Sequence, residues 1–299
     1  MTILQGQVNV PALVSRIRNE FPELEFGKAT LSDEGEDHAV VLLDDRWVFR
    51  FPRTAKAAAR GASERRLLSQ INARAKVATP NYEKVARAGD FSGYRMIPGV
   101  ELSEEAFEGL THSDQEHVLR EIGDFLRLLH AQPVEMVSGQ AGDFEDAVGF
   151  VALHAERRER LAAGLGANLM KSADRFYEAL PAAVATSQRV VIHRDFTEDH
   201  ILLHPTEARL AGIIDFTDAG LGDPAFDFTF LWSYGLHAPE IVARSYGSEA
   251  STPALLARSM WWFTRYRIDQ VWWSISGARD YDASKIMREL ESLFDTLGV

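Results

Sequence analysis

Residues 190–227 constrain the fold of this chain more than any other segment. Their sequence is VVIHRDFTEDHILLHPTEARLAGIIDFTDAGLGDPAFD. Three short apolar runs separated by polar turn residues predict three strands. Asp195 follows the first run within His193-Arg194-Asp195, and Asp215 ends the third. Two carboxylates therefore stand where strands give way to loops, and a rigid strand fixes the position of a polar group on the loop beyond it.

The segment before residue 98 predicts a small sheet with one main helix. The apolar spacing predicts strands at 26–32, 38–43, 46–51, 82–87 and 91–96, and helices at 10–21 and 54–75. Pro98-Gly99 interrupts this pattern. We therefore predict a domain boundary there, with an N-terminal nucleotide-binding lobe over residues 1–97.

Beyond this boundary the pattern is mainly helical. Apolar residues recur at helical spacing over 115–130, 143–163, 174–180, 223–234, 253–276 and 283–297. The break between the second and third of these helices begins at Gly164-Leu165-Gly166. The sequence therefore predicts an α+β protein, with a small, mainly antiparallel sheet in the first lobe and a larger, mainly helical lobe over residues 98–299.

Charge and composition narrow the classes of partner. The formal net charge is −12, from 44 acidic and 32 basic residues. That field repels nucleic acid and anionic membranes and attracts cationic small molecules, although solubility alone also explains it. The absence of cysteine excludes disulfides and thiol catalysis and fits a reducing, cytoplasmic location. The sequence contains no uncharged apolar run of membrane-spanning length and no secretory-signal pattern at its start.

Asp195 and Asp215 fit the transfer of a phosphoryl group to an alcohol. This reaction needs a carboxylate that accepts the hydroxyl proton and metal ligands that hold a polyphosphate in line. Protein kinases supply these groups as H-x-D-x-x-x-x-N, followed by an Asp at a later strand end. Here His193 and Asp195 are followed by His200 in place of Asn, and a hairpin between the two acids can return Asp215 to His200. The alternative is that both acids are ordinary turn carboxylates.

These motifs resemble those of the aminoglycoside phosphotransferase family, antibiotic kinases with a bilobal protein-kinase-like fold. The resemblance lies in HRDFTEDHILL, in GIIDFTDAGLGDPAFDF and, in the first lobe, in WVFRFPR. Within the family, the chain is most similar to the aminoglycoside 2''-phosphotransferases. That group and the macrolide phosphotransferases commonly carry His at the position of His200. The resemblance covers most of the chain, and residues 190–227 are its specific part.

The resemblance implies that Asp195 is the catalytic carboxylate. It also implies that His200 and Asp215 bind the Mg²⁺ ion that bridges the phosphates of ATP or GTP. An imidazole matches a hard cation less well than the amide oxygen of Asn, so a water-bridged contact of His200 stays open.

In the first lobe, kinases hold the α- and β-phosphates with a Lys on the third strand, paired with a Glu on the following helix. Arg50 and Glu64 occupy the matching positions here. Arg keeps the charge of Lys and adds a planar fork suited to phosphate. The alternative is that Arg50 extends to solvent from an edge strand and that Glu64 pairs with a base such as Arg60 on its own helix.

Two other segments of the expected nucleotide site carry weaker signals. The sequence GYRMIPG, residues 93–99, resembles the hinge of the family, which implies main-chain contacts to the purine around Tyr94, Met96 and Ile97. Tyr94 and Met96 fit a plain core equally well. The expected phosphate-covering loop, residues 32–38, lacks the G-x-G-x-x-G pattern and holds one glycine among four acids. Its backbone amides suit phosphate only if those acids face solvent.

Three acids near the proposed catalytic residues are candidates for binding the acceptor. Glu198, Asp199 and Asp218 form an acidic rim of the kind that a polyamine sugar needs beside its reacting hydroxyl; the alternative is solvated surface acids. Trp272, in the aromatic-rich helix 253–276, is a candidate wall of the same site. Aromatic faces stack on sugar rings and attract ammonium groups, although such a stripe also fits a core.

Together these features predict an antibiotic kinase that transfers the γ-phosphoryl group of ATP or GTP to a hydroxyl of an aminoglycoside. We expect a monomer without nucleic-acid or membrane partners. The alternatives are a macrolide phosphotransferase or another small-molecule kinase and, from a different class, a catalytically inactive nucleotide-binding regulator. The acidic rim favours the aminoglycoside, whereas His200 and the acidic loop favour the regulator.

Overall fold

The computed structural model describes residues 9–32, 37–137, 147–180, 184, 188–247, 253–279 and 281–299. Two sequence predictions fall partly outside the described residues: the phosphate-covering loop, at 33–36, and the start of helix 143–163, at 143–146. Within the described ranges, no helix combines the length and the apolar character needed to cross a membrane.

A five-stranded antiparallel sheet carries the N-terminal part of the molecule. Its strands lie in the order β1-β2-β3-β5-β4. Their bounds are β1 Ala29–Ser32, β2 His38–Leu43, β3 Trp47–Pro52, β4 Lys84–Val85 and β5 Ser92–Arg95. Helix α1, Val10–Glu20, buries Leu13 and Ile17 against one face of the sheet. Helix α2, Ala55–Asn72, begins at the Thr54 N-cap directly after β3.

Alternation along β2 and β3 separates a core face from a cleft face. The residues that pack with α1 are Ala39, Val41, Phe49 and Phe51. Val40 is paired with Arg50 in the antiparallel register, and directly opposed residues share one face of a sheet. Arg50 therefore stands on the face opposite the apolar core, although both of its chain neighbours are buried in that core.

The C-terminal part is mainly helical and holds the larger hydrophobic core. Its helices are α3 Glu104–Glu108, α4 His112–His130, α5 Ala147–Glu178, α6 Ala238–Tyr246, α7 Pro253–Ser276 and α8 Ala283–Leu297. Its short strands are β6 Val100–Glu101, β7 Val190–Ile192, β8 Ile201–Leu203, β9 Leu210–Ile213 and β10 Gly220–Gly222. An antiparallel sheet followed by a helical region confirms the predicted α+β class.

The strands within residues 190–227 form two antiparallel ladders. β8 pairs with β9 as a hairpin, with β6 on the other side of β8, and β7 pairs with β10. Just beyond the hairpin ladder, the Ile214 N–H donates to the carbonyl oxygen of His200 at 2.9 Å. The hairpin therefore returns Asp215 to His200, as the spacing predicts.

Several helical predictions differ from the structure. The break predicted to begin at Gly164-Leu165-Gly166 is present at Gly166, whose φ of 74° and ψ of 168° are not helical, but the helix resumes directly after it rather than at residue 174. Glycine reaches this backbone region at little cost, so α5 is divided there into two helical parts by a kink. Residues 223–234 form two 3₁₀ turns, Pro224–Phe228 and Phe230–Tyr234, where we predict an α-helix. The unpredicted α3 and α6 have 5 and 9 residues, too few for a clear periodic pattern.

Candidate active site

A buried carboxylate shapes the loop that follows β7. Asp227 is 1% exposed and accepts hydrogen bonds from the backbone N–H groups of His193, at 2.7 Å, and Arg194, at 3.0 Å. His130 Nε2 donates to the same carboxylate at 3.0 Å. Arg194 adopts φ 70° there, an uncommon backbone conformation for a residue other than glycine. Asp227 therefore holds the loop that carries Asp195 in a defined conformation.

Asp195 extends from this loop into a cleft between the sheet and the helical part. Its side chain is 50% exposed. His200 Nδ1–H donates to the Asp195 carbonyl oxygen at 2.8 Å and lies 3.4 Å from its Oδ2. The surrounding cleft walls bury the carboxyl group enough to raise the pKa of Asp195, while His200 and His193 oppose this shift. Asp195 is thus fixed through its backbone and open to a ligand through its carboxylate.

Arg50 connects the sheet to the helical part through a buried network. Its side chain is 7% exposed. Nη1 donates to Glu64 of α2 at 3.1 Å, and Nη2 donates to Asp215 at 2.8 Å and to Thr217 at 2.5 Å. Burial raises the pKa of Glu64, and the charge of Arg50 opposes that shift. The sequence-predicted Arg50–Glu64 pair is therefore present, and Arg60 is not the partner of Glu64.

Asp215 lies just beyond β9 with φ 58°. Its Oδ1 accepts from Arg50 and from the hydroxyl of Thr217, the latter at 2.7 Å. Burial opposes ionisation, but the charge of Arg50, with a further effect of His200, holds the pKa of Asp215 well below its usual range. Among the described residues, no group donates to Oδ2, and the side chain is 39% exposed to the cleft. Asp215 is therefore an ionised carboxylate with one oxygen available.

His200 and Asp215 fit a divalent cation that also binds a ligand, but not a metal held by protein alone. His200 uses Nδ1 in its hydrogen bond to Asp195, so its Nε2 is the nitrogen that can bind a cation. Asp215 accepts hydrogen bonds through Oδ1, so its Oδ2 is the oxygen that can bind a cation. Mg²⁺ requires near-octahedral coordination, mostly by oxygen, and usually keeps substrate phosphates and water among its ligands. The described part of the chain contains no group of three or more His, Asp or Glu side chains placed to hold a metal. Phosphate and water oxygens would have to complete this donor set.

None of the three hinge candidates is among the residues that line the cleft cavity. Tyr94 is buried against Tyr82, with ring centroids 5.3 Å apart and the planes at 86°, and burial raises the pKa of Tyr94 to about 12. The Met96 side chain is exposed, but its N–H already donates to the Arg46 carbonyl oxygen at 2.9 Å. Ile97 packs over Gly212, where a Cβ atom would lie 2.6 Å from Ile97 Cγ2. The Met96 amide is therefore engaged within the protein, and a purine contact of this segment stays a prediction.

The cleft encloses a cavity of about 930 Å³. This volume lies at the upper end of the range for small-molecule sites. Its sheet side is lined by Asp37, His38, Val40 and Arg50, and its helical side includes Asp195, Glu198, Asp199, His200, Asp215 and Asp218. Among its lining residues, eight carry carboxylates and four are Arg or Lys. The cavity thus brings the predicted catalytic, metal-binding and acidic-rim residues together.

Trp272 lies outside this cavity, contrary to the expected wall. Its ring packs under Arg157 of α5, with the guanidinium carbon 4.9 Å from the ring centroid. The next residue, Trp273, lines the cavity and contacts Tyr266 and Tyr281, with centroid distances of 5.9 and 6.3 Å. Successive residues on a helix point about 100° apart, so only one of the two tryptophans can face the cleft. The aromatic-rich sequence does not indicate which one does.

Asp218 is less available than the sequence suggests. Its Oδ1 accepts from Arg60 and lies 2.9 Å from Lys56 Nζ, and both of these residues belong to α2. Sequence reasoning missed this contact because residues far apart in the chain form it. Glu198 and Asp199 are therefore the less neutralised members of the rim. Burial raises the pKa of Glu198, which also accepts from the Glu104 N–H at 3.3 Å.

The model of the Phosphotransferase enzyme family matches residues 28–262, and the chain belongs to that family. The chain is therefore a phosphotransferase, as predicted, and the resemblance drawn from its motifs is confirmed.

Individual relatives are distant in sequence. The uncharacterized protein YcbJ of Bacillus subtilis (strain 168) is 23% identical over 246 residues, which cover 76% of this chain and 77% of the relative. The GDP complex of aminoglycoside 2'-phosphotransferase-IIIa is 24% identical, with a TM-score of 0.77 over 97% of this chain and 99% of that one. The apoenzyme of a macrolide 2'-phosphotransferase from Brachybacterium faecium is 20% identical, with a TM-score of 0.64 over 93% and 97%. These two structures confirm the predicted kinase-like fold, while the boundary at residue 97 stays a prediction.

Proposed function

We propose that this phosphotransferase transfers the γ-phosphoryl group of ATP or GTP to a hydroxyl of a cationic aminoglycoside. The observation that carries the proposal is the cavity of about 930 Å³ that Asp195 shares with Arg50 on one side and with Glu198 and Asp199 on the other. In this proposal the nucleotide lies between lobes 1–97 and 98–299, and the acceptor lies against the helical lobe.

The charge of the cavity favours a polycationic acceptor. Eight lining carboxylates against four Arg and Lys residues give a local excess of negative charge. The net charge of the whole chain, −12, adds a long-range attraction for cations. A macrolide offers far fewer ammonium groups for this rim, so electrostatic complementarity favours the aminoglycoside. The macrolide phosphotransferase among the structural relatives makes a macrolide the natural competing acceptor in a test.

The proposed chemistry depends on positioning. Asp195 orients the acceptor hydroxyl and accepts its proton as the new P–O bond forms, while the bond between the γ-phosphorus and the β,γ-bridging oxygen breaks and the nucleoside diphosphate leaves. Arg50, held by Glu64 at 3.1 Å, presents its charge to the nucleotide phosphates. Mg²⁺ bound by His200 and Asp215 would neutralise charge on the transferred group. Because Arg50 also binds Asp215 at 2.8 Å, the phosphate-binding and metal-binding residues lie within one network.

A nucleoside-diphosphate-release screen tests the proposal. The protein is assayed with ATP and with GTP, each in the presence of Mg²⁺, against aminoglycosides, macrolides and small alcohols. We expect aminoglycosides to raise the rate of ADP or GDP release well above the rate of background hydrolysis. If only macrolides stimulated release, the proposed acceptor would be a macrolide instead of an aminoglycoside. If no compound stimulated release, the antibiotic-kinase proposal would be contradicted.

Replacement of the least neutralised rim acid should weaken the acceptor complex selectively. We expect Asp199→Asn to raise the aminoglycoside KM about threefold to tenfold, because one charge attraction is lost, and to leave the nucleotide KM unchanged. The increase should shrink at high ionic strength, because salt screens exposed charges. The matched control is Glu240→Gln, a change of a half-exposed residue of α6 that does not line the cavity, which should alter neither KM. An equal change of both KM values for Asp199→Asn would contradict a role on the acceptor side.

A further inference from the structure

His38 is a buried histidine on the cleft side of the sheet. It has no role in the proposed phosphoryl transfer by Asp195 and Arg50. It is 6% exposed, lines the cavity, and is both the first residue of β2 and the last residue of the segment predicted to cover the phosphates. Its Nδ1 lies 3.1 Å from Nη2 of Arg50. Arginine can only donate, so Nδ1 is the acceptor, and the neutral ring carries its proton on Nε2.

The surroundings of His38 keep this ring neutral. Burial, followed by the charge of Arg50, lowers the pKa of His38 to about 3, against an opposing effect of Asp215 and Asp218. A second proton on the ring would set an Nδ1–H group against the guanidinium of Arg50. At neutral pH the ring is therefore a fixed Nε2–H donor at the cavity wall. Among the described residues, no group accepts a hydrogen bond from it.

Among the described residues that line the sheet side of the cavity, Arg50 is the other side chain that can donate to an anionic ligand. Arg50 already donates to Glu64, Asp215 and Thr217 within the protein. The preceding sequence, residues 32–37, holds four acids and one glycine, which is a poor composition for binding a polyanion. A neutral imidazole N–H adds a phosphate hydrogen bond without the desolvation cost of another buried charge.

We infer that His38 is a nucleotide-binding residue. Its Nε2–H donates to an oxygen of the β- or γ-phosphate, while its Nδ1 accepts from Arg50 and orients the guanidinium toward the same phosphates. The inference rests on the phosphoryl-donor half of the proposed function and is independent of the acceptor. A search for the glycine-rich phosphate-loop motif would not identify this side chain.

Two substitutions distinguish the roles of the two ring nitrogens of His38. His38→Asn keeps an acceptor near the Nδ1 position for Arg50 and removes the donor at Nε2. His38→Gln extends an amide N–H to the Nε2 position. The affinity for a non-hydrolysable ATP or GTP analogue with Mg²⁺ is measured by calorimetry without an acceptor, beside the affinity for the corresponding nucleoside.

We expect His38→Asn to weaken triphosphate binding about tenfold to a hundredfold, the usual effect of losing a hydrogen bond to a charged group, and to leave nucleoside binding unchanged. His38→Gln should recover most of the triphosphate affinity. In turnover, His38→Asn should raise the nucleotide KM more than it lowers kcat. The matched control is His112→Asn, a change of an 84% exposed side chain at the start of α4, which should change none of these values.

Several outcomes would overturn the inference, and they can be told apart from failure of the proposed function. If His38→Asn bound the triphosphate as tightly as the wild type does, His38 would not contact the phosphates. Equal losses of nucleoside and triphosphate affinity in both variants would assign His38 to the architecture of the lobe alone. If the wild-type protein bound neither nucleotide, the phosphoryl-transfer proposal itself would fail.

Discussion

Asp195→Ala is expected to lower kcat for phosphoryl transfer about a thousandfold while the protein stays folded. A positioned general base typically contributes 10²–10⁴-fold to the rate, and Asp195 would also orient the hydroxyl that attacks. Its side chain is half exposed, and its closest described contact is His200 Nδ1 at 3.4 Å from Oδ2. Because this carboxylate supports so little of the surrounding structure, its removal should act on the chemical step.

Three measurements on Asp195→Ala isolate that step. The kcat falls, the affinity for a non-hydrolysable triphosphate analogue stays within about threefold, and the thermal unfolding midpoint stays close to that of the wild type. Asp199→Asn is the matched control, because it also removes a cavity carboxylate but should change the acceptor KM and not kcat. Retention of more than a small fraction of kcat by Asp195→Ala would remove Asp195 from its proposed role.

Long, uninterrupted patterns made much of the fold predictable from the sequence. α7 and α8 begin and end at the predicted residues, because their apolar spacing is sustained over 24 and 15 residues. The glycine pair in α5 also marks a real interruption, because Gly166 leaves the helical conformation there. The residue at which the helix resumes was not predictable from the local pattern, because residues on α5 and α7 bury the same core and tertiary packing stabilises helix directly after Gly166.

The candidate site was predictable where it follows chain order and not where it depends on rotation or long-range contact. The order of Asp195, His200 and Asp215 along a strand–hairpin pattern was sufficient to bring them together. Nothing in the local sequence distinguishes Trp272 from Trp273, because that choice depends on how α7 is rotated against α5. The same limit hid the pairing of Asp218 with α2, since opposite charges are frequent on any surface and their pairing is set by the whole fold.

Asp227→Ala is the second substitution with a large expected effect, and it should lower both stability and activity. Removing the carboxylate leaves the backbone N–H groups of His193 and Arg194 without an acceptor in a region where Asp227 itself is only 1% exposed. Each buried group left unsatisfied costs about 1–3 kcal/mol, and His130 Nε2 also loses its acceptor. We expect a loss of roughly 3 kcal/mol or more in the free energy of unfolding, measured by urea denaturation.

Activity should fall in Asp227→Ala even under conditions where the variant is fully folded. The same bonds hold the loop at Arg194, with φ 70°, so their loss frees Asp195 from its position in the cleft. Asp124→Asn, on the partly exposed side of α4, is the control that removes an aspartate without opening the core, and it should be near neutral. A small loss of stability with full activity would show that Asp227 does not brace the loop. The two aspartates are thus separable by experiment: Asp195→Ala removes chemistry from an intact fold, whereas Asp227→Ala removes the conformation on which that chemistry depends.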